Sequence, residues 1–216
     1  EPVRLDGKII AKPSRDLRER GWGLLNAAAL PVWVEAALAI IVLDMLIYWQ
    51  HRLFHIVPFF WRFHKVHHAD RDLDTSSGVR FHPIEICASM FYKMAIVVLL
   101  GAPVIAVIVF EIILNACSLF NHANVKLPLW LDRTLRVFIV TPDYHRVHHS
   151  TAEAETNSNF GFSLTLWDHL FGSYRAQPAA GHDGMVIGLN EHQDETPQKL
   201  GQGLLLPFNE LPRQSY

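Results

Sequence analysis

Residues 31–49, PVWVEAALAIIVLDMLIYW, are an apolar run that flows without a breaker into QHRLFHI and stops only at Pro58. A helix rises about 1.5 Å per residue, so this run measures about 28 Å, close to the roughly 30 Å hydrocarbon core of a bilayer. In lipid no backbone N–H or C=O can be left unpaired, and a single segment meets that demand only as a helix. The run therefore predicts a transmembrane helix despite Glu35 and Asp44, with a polar end that continues out of the membrane.

A second apolar region, residues 86–120, is broken by Gly101-Ala102-Pro103. Glycine and proline together predict a tight helical hairpin whose two ends return to one membrane face. Its first arm, 86–100, is only about 22 Å long by helical rise, so the hairpin dips deeply or spans with help from tilt and flanking residues. Residues 122–150 alternate Trp, Leu, Arg and Asp as an interfacial helix does, and residues 151–175 are polar. The basic stretch 1–22 reads as an interfacial segment, and the start at Glu1 as that of a processed product. The tail 176–216 carries no recognisable chemistry. The expectation is one all-α domain over 1–216: a membrane-embedded helical bundle, core 23–175, with a histidine-rich helical cap.

A formal charge of -2 gives no basic excess, which excludes nucleic acid as a partner. Two cysteines, Cys87 and Cys117, cannot build a disulfide framework or a thiolate zinc site. No glycine-rich phosphate loop or C-x-x-C-H occurs, so no motif for nicotinamide, flavin, nucleotide or c-type haem is written here.

Histidine is the outlier. Of 13 histidines, 11 fall between residues 51 and 169. His51 and His55 are four apart on the predicted first helix, which places both imidazoles on one face. HKVHH at 64–68 and HRVHH at 145–149 each offer a triplet, His64, His67, His68 and His145, His148, His149, able to serve two metals at once. His122 follows the hairpin. These nine suit a dinuclear site with four or five nitrogens per metal. A set without thiolates suits iron, copper or zinc. The Glu-x-x-His motif of carboxylate-bridged di-iron bundles is absent. His82 in RFHPIE and His169 in WDHLFG are weaker candidates, and His182 and His192 read as ordinary histidines. Asp44, Tyr48, His51, His55 and Glu111, Asn115, Ser118, His122 are both spaced 4, 3, 4 along a helix. Asp44, Glu111 and Asn115 are thereby candidates to support the metal ligands, a structural interhelical hydrogen bond being the alternative. Lys65 and Arg146, inside the two repeats, are expected to face solvent or lipid head groups.

HRLFH, HKVHH and HRVHH in this order, with RFHPIE, FNHANV, TPDYHRVHHS, NSNFG and WDHLFGSYR, resemble the fatty acid hydroxylase/sterol desaturase superfamily over residues 22–175. The resemblance implies an integral membrane oxygenase in which His51, His55, His64, His67, His68, His122, His145, His148 and His149 hold two iron ions. It implies O2-dependent hydroxylation or desaturation of an unactivated lipid C–H bond, in a sterol, fatty acyl or related apolar substrate. Zinc is a possible occupant of purified samples. No electron-donor motif is present, which predicts a separate reductase, ferredoxin or cytochrome b5-like partner. Ser118 stands where fatty acid and ceramide hydroxylases complete an H-x3-H with the equivalent of His122, and Ile56 where the ether-lipid branch has Glu; His169 stands where relatives have a basic residue. A dinuclear lipid hydrolase and a membrane metal-binding or transport protein are the other classes open to such a chain. The histidine clusters are expected on the cytoplasmic face, where reductants are found.

Overall fold

The structure, a computed structural model, describes residues 3–5, 8–11, 21–27 and 30–209. Helix α1, Val32–Ile56, is the first apolar run lengthened by its polar end to 25 residues. It stops because Val57 precedes a proline, whose ring forces its neighbour out of the helical region; Val57 takes φ -92°, ψ 115°. Pro58, having no N–H to satisfy, then opens α2, Pro58–His68.

Helices α3, Pro83–Leu100, and α4, Val104–Asn121, are the two arms of the hairpin, and Gly101 turns between them at φ +65°. The first arm is longer than residues 86–100 because Pro83 starts it and His82 Nδ1 accepts the Ile84 N–H at 3.2 Å. Its 18 residues rise about 27 Å. All three helices are long and apolar enough to cross a membrane, and protein buries a third or less of each apolar stretch. Helices so apolar and so little covered belong in lipid, and the chain is a membrane protein.

Two compact units are distinguished, residues 1–43 with 90–112 and residues 44–89 with 113–216. In the first, Val3–Leu5 and Lys8–Ala11 pair as a short antiparallel ribbon, the one pair of strands among the described residues, apart from two isolated antiparallel bridges, Ile139 to Leu164 and Ser150 to Ile187, in the second unit. The interfacial segment expected over 1–22 otherwise lies outside the described residues. Gly23, at φ +97°, backs directly onto Gly101, and a Cβ there would meet the Gly101 nitrogen at 2.2 Å. Lys93 on α3 donates to Glu111 Oε1 on α4 at 2.6 Å. Glu111 thus neutralises a lysine inside the span, where an unpaired charge is costly.

The second unit adds α5, Leu129–Leu135, α6, Pro142–His148, α7, Glu153–Thr156, α8, Leu166–Leu170, and α9, Leu200–Leu205. The single interfacial helix expected over 122–150 is therefore two short ones. Thr141 precedes Pro142, is extended (φ -106°, ψ 165°), and caps α6 by accepting the Tyr144 N–H. The tail, in which the sequence shows no recognisable chemistry, folds back over α2: Leu189 and Leu206 pack on Val66 and Ala69, Gln198 donates to Ala69 O at 2.8 Å, and Arg80 to Pro197 O at 2.6 Å. Lys65 is consequently buried rather than solvent-facing, and Arg146 turns toward Asp143.

Asp44 accepts Trp167 Nε1–H at 2.7 Å and Leu164 N–H at 3.3 Å, tying the segment around α8 to α1. Ser163 also bonds this carboxylate, so the structure places a hydrogen-bonded tie between α1 and the α8 segment at Asp44. Replacing Trp167 by Phe removes one donor from a buried carboxylate and is expected to cost about 1–3 kcal/mol. A lowered unfolding midpoint in detergent with unchanged metal content checks it; an unchanged midpoint would mean that Asp44 finds another donor.

Candidate metal centre

The nine clustered histidines are all buried and form two groups, His51, His55, His64, His68, His148 and His67, His122, His145, His149. Within each group one ring nitrogen per residue lies within 4.8 Å of every other. The two repeats divide in opposite senses. HKVHH sends its i,i+4 pair, His64 and His68, to the first group and His67 to the second. HRVHH sends its i,i+4 pair, His145 and His149, to the second and His148 to the first. Helical geometry requires this: residues four apart share a face, and their immediate neighbour points about 100° away.

What aims these rings is the hydrogen bonding of their outer nitrogens. His51 Nδ1 meets Phe160 O at 2.8 Å, His148 Nδ1 meets Ser158 O at 2.8 Å, and His122 Nδ1 meets Ser118 O at 2.7 Å. His67 Nδ1 meets Arg80 O at 3.3 Å, and His64 Nδ1 meets Glu85 Oε1 at 2.6 Å. A carbonyl or carboxylate oxygen only accepts, so in each case Nδ1 carries the proton and the neutral ring's lone pair is on Nε2. The consequence is sharpest in the second group. His67 Nε2 and His122 Nε2 are 3.1 Å apart, yet both are lone pairs and neither can donate to the other.

Burial opposes relief by protonation. It lowers His122 to about 4 and His148 to about 3, and His67, His68, His145 and His149 well below the ordinary histidine value, with neighbouring histidines adding to the effect for the last four. In all, eight ring nitrogens of the nine histidines are buried without a hydrogen-bond partner. At about 1–3 kcal/mol each that cost rivals the roughly 5–15 kcal/mol net stability of a whole domain. A cation shared by convergent lone pairs removes it. The donor set fits metal ions that accept imidazole, iron, copper and zinc among them.

A loop around the NSNFG stretch presents two of the carbonyls. Asn159 sits at φ 53°, a conformation asparagine tolerates, and is fixed by Nδ2 donating to Tyr144 O at 3.0 Å and Oδ1 accepting from Arg175 N at 2.8 Å. Asp168 accepts from Phe160 N at 2.8 Å, Gly161 N at 2.7 Å, Tyr144 OH at 2.9 Å and Ser173 Oγ at 2.6 Å. Burial raises the Asp168 carboxyl while these donors pull it back down. A Cβ at Gly161 would stand 2.7 Å from Asp168 Oδ2, so the position accepts only glycine.

The weaker candidates fall outside both groups. His82 caps α3 and lies against Phe63; His169 is exposed beside Tyr174; Asn115 is exposed on α4. Glu85 and Asp168 are the residues that sequence reading missed. Both stand inside stretches already marked, RFHPIE and WDHLFG, where histidine drew the attention.

Two outcomes are expected. Glu85→Leu should weaken metal retention about 10- to 100-fold against a chelator while Glu85→Gln, which keeps an acceptor, loses less. Separately, the metal-free chain should lose stability as pH falls. Unfolded histidines bind protons near 6.5, whereas the buried ones bind them only near 3 to 4. Stability is thus full above about 6.5 and declines below it, which unfolding midpoints across that range in chelator would record.

The fatty acid hydroxylase family model matches residues 36–173. The chain is 32% identical over 150 residues to ornithine lipid hydroxylase OlsE of Rhizobium tropici, covering 68% of this chain and 44% of that protein. It is 28% identical to human alkylglycerol monooxygenase over 73% of this chain and 33% of the relative. It is 27% identical to rat cholesterol 25-hydroxylase over 65% and 47%. The chain thus spans less than half the length of these relatives. No solved structure matches it. With nine histidines gathered into two nitrogen groups beside apolar helices, and a family match over residues 36–173, the chain belongs to the fatty acid hydroxylase family.

Proposed function

We propose that this chain is an O2-dependent di-iron membrane oxygenase that hydroxylates or desaturates an unactivated C–H bond of a lipid. The observation that carries the reading is the pair of buried all-nitrogen groups, five histidines and four, in which five of the nine rings already have Nδ1 committed to an oxygen acceptor. His51, His55, His64, His68 and His148 would hold one iron, and His67, His122, His145 and His149 the other. Iron, when bound, supplies the redox change that O2 reduction and C–H cleavage require and that zinc lacks. Relatives named for ornithine lipid, alkylglycerol and cholesterol support a lipid substrate.

The chain's own groups do the positioning. Phe160 O, Ser158 O, Ser118 O and Arg80 O keep four imidazoles in the tautomer that offers Nε2 inward. Glu85 does the same for His64 and, as a carboxylate, makes that ring the more electron-rich donor. Phe81 stacks on His67 at 4.4 Å between centroids, and Phe160 lies 5.2 Å from His55. These rings and the folded-back tail exclude water from a site whose chemistry would otherwise leak oxidant. Two electrons and two protons must arrive from outside, so we assign a separate reductase, ferredoxin or cytochrome b5-like donor and place the histidine face toward the cytoplasm.

The test is metal analysis of the purified chain with lipid mass spectrometry of cells carrying it or not, grown with and without air. Iron together with an oxygen-dependent lipid gaining one oxygen, or losing two hydrogens, is the expected result. Lipid turnover that persists without O2 or reductant would replace this reading with a dinuclear hydrolase.

A further inference from the structure

Outside the metal centre, the short helices α5 and α8 and the turn after α5 carry a group of exposed large apolar side chains. Leu129, Trp130, Val137, Phe138, Leu166 and Leu170 are each more than half exposed. Side chains of this size, exposed to this degree, together amount to roughly 700 Å2, above the roughly 300–600 Å2 of the largest patch on a typical soluble monomer. The backbone joins them. Val140 N donates to Ser163 O at 3.0 Å, Thr165 N to Phe138 O at 3.2 Å, and Thr165 Oγ1 to Val137 O at 3.2 Å.

The same segment is pinned to α1. Trp167 Nε1 and Leu164 N bond Asp44, Phe171 stacks on Tyr48 at 5.3 Å and lies tilted against Trp49 at 4.8 Å, and Tyr48 OH meets Ser173 Oγ at 2.8 Å. The patch is therefore continuous with the lipid-facing side of α1, where Trp49 and Leu53 are exposed. Asp44 precedes His51 by seven residues, about 10 Å along the helix. Val137, Phe138 and Leu166 thus lie at a depth about 10 Å to the membrane side of His51. At the other rim the Arg52 guanidinium stands over Trp49 at 5.3 Å and donates to Tyr48 Oη at 3.3 Å. An aromatic ring with arginine above it is how a side chain spans the boundary between acyl chains and head groups.

We propose that α5, α8 and the turn after α5 are immersed in the same leaflet as the polar half of α1, with acyl chains covering the patch and lipid phosphates meeting Arg52 and the exposed Arg133. The second unit is then not perched on the membrane but sunk about 10 Å into it along this side, which opens its flank to lipid laterally. Neither a second copy of the chain nor a soluble partner matches a surface that begins on a transmembrane helix and ends on an arginine–tryptophan rim.

The iron-loaded protein with Cys87→Ser and Cys117→Ser is placed in nanodiscs of phosphatidylcholine and phosphatidylglycerol, and nitroxide labels are attached through Phe138→Cys, Leu170→Cys and, as the exposed control, Asp194→Cys. Labels at 138 and 170 should collide with oxygen and be shielded from a water-soluble nickel chelate, and the label at 194 should show the reverse. Chelate access at 138 and 170 equal to that at 194 overturns the proposal. So does shielding from both reagents with a dimer mass by native mass spectrometry, which would assign the patch to a second copy. A label-free measurement guards against misfolded variants. Lipids brominated near the head-group end of the acyl chain should quench the native protein's fluorescence, and Trp130→Phe should lose part of that quenching; quenching unchanged in Trp130→Phe counts against immersion.

Discussion

The N–H that five of the nine imidazoles direct away from the centre is the constraint on which the rest depends. Nine neutral rings packed together have no preferred orientation of their own, and a ring that turns over offers a proton where a lone pair is needed. Carbonyl oxygens of Phe160, Ser158, Ser118 and Arg80 and the carboxylate of Glu85 remove that freedom for five of them. Each acceptor must then be held in place, and much of the second unit does this. Asp168 clamps the Phe160–Gly161 amides, Asn159 bridges Tyr144 and Arg175, and Ser118 Oγ donates to Gly78 O at 2.7 Å.

This explains why so few residues of the polar regions are free to be ordinary. Tyr144 begins the turn that delivers His145, yet its hydroxyl bonds Asp168, which in turn fixes the loop that orients His51 and His148. The tail takes part as well. Gly188 N donates to His149 O at 3.0 Å and Leu206 seals the far side of α2. Burial of the clusters is thus secured by segments with no metal-binding residue of their own.

Features carried by local chemistry were legible in the sequence. The span of α1, its continuation to His55, the stop at Pro58 and the turn at Gly101-Ala102-Pro103 follow from apolar periodicity and from backbone rules that operate within a few residues. The nine histidines were legible because their spacing repeats at helical intervals. The orienting acceptors were not. Four of the five are backbone carbonyls, which have no residue identity to read, and Glu85 reaches His64 from the start of another helix. The same limit accounts for Asp44 and Glu111. A 4, 3, 4 spacing places each on a helix face but says nothing of what packs there: Trp167 donates to Asp44, and Lys93 to Glu111. The tail was opaque for a related reason, since its partners on α2 lie more than a hundred residues away, as Gln198 does from Ala69.

The opposite division of HKVHH and HRVHH has a further physical meaning. In a carboxylate-bridged pair the bridge itself sets how far apart two metals stand. Here the two nitrogen groups share no bridging side chain, and each adjacent pair, His67–His68 and His148–His149, is split between them. The ring centroids of both pairs are 5.5 Å apart, a separation imposed by consecutive residues of a helical turn. The spacing of the two groups is therefore a property of backbone geometry, repeated from two directions, and does not depend on either group being filled. Five of the nine rings, drawn from both groups, are in addition held by a hydrogen bond on the outer edge, so their aim is set by the protein itself.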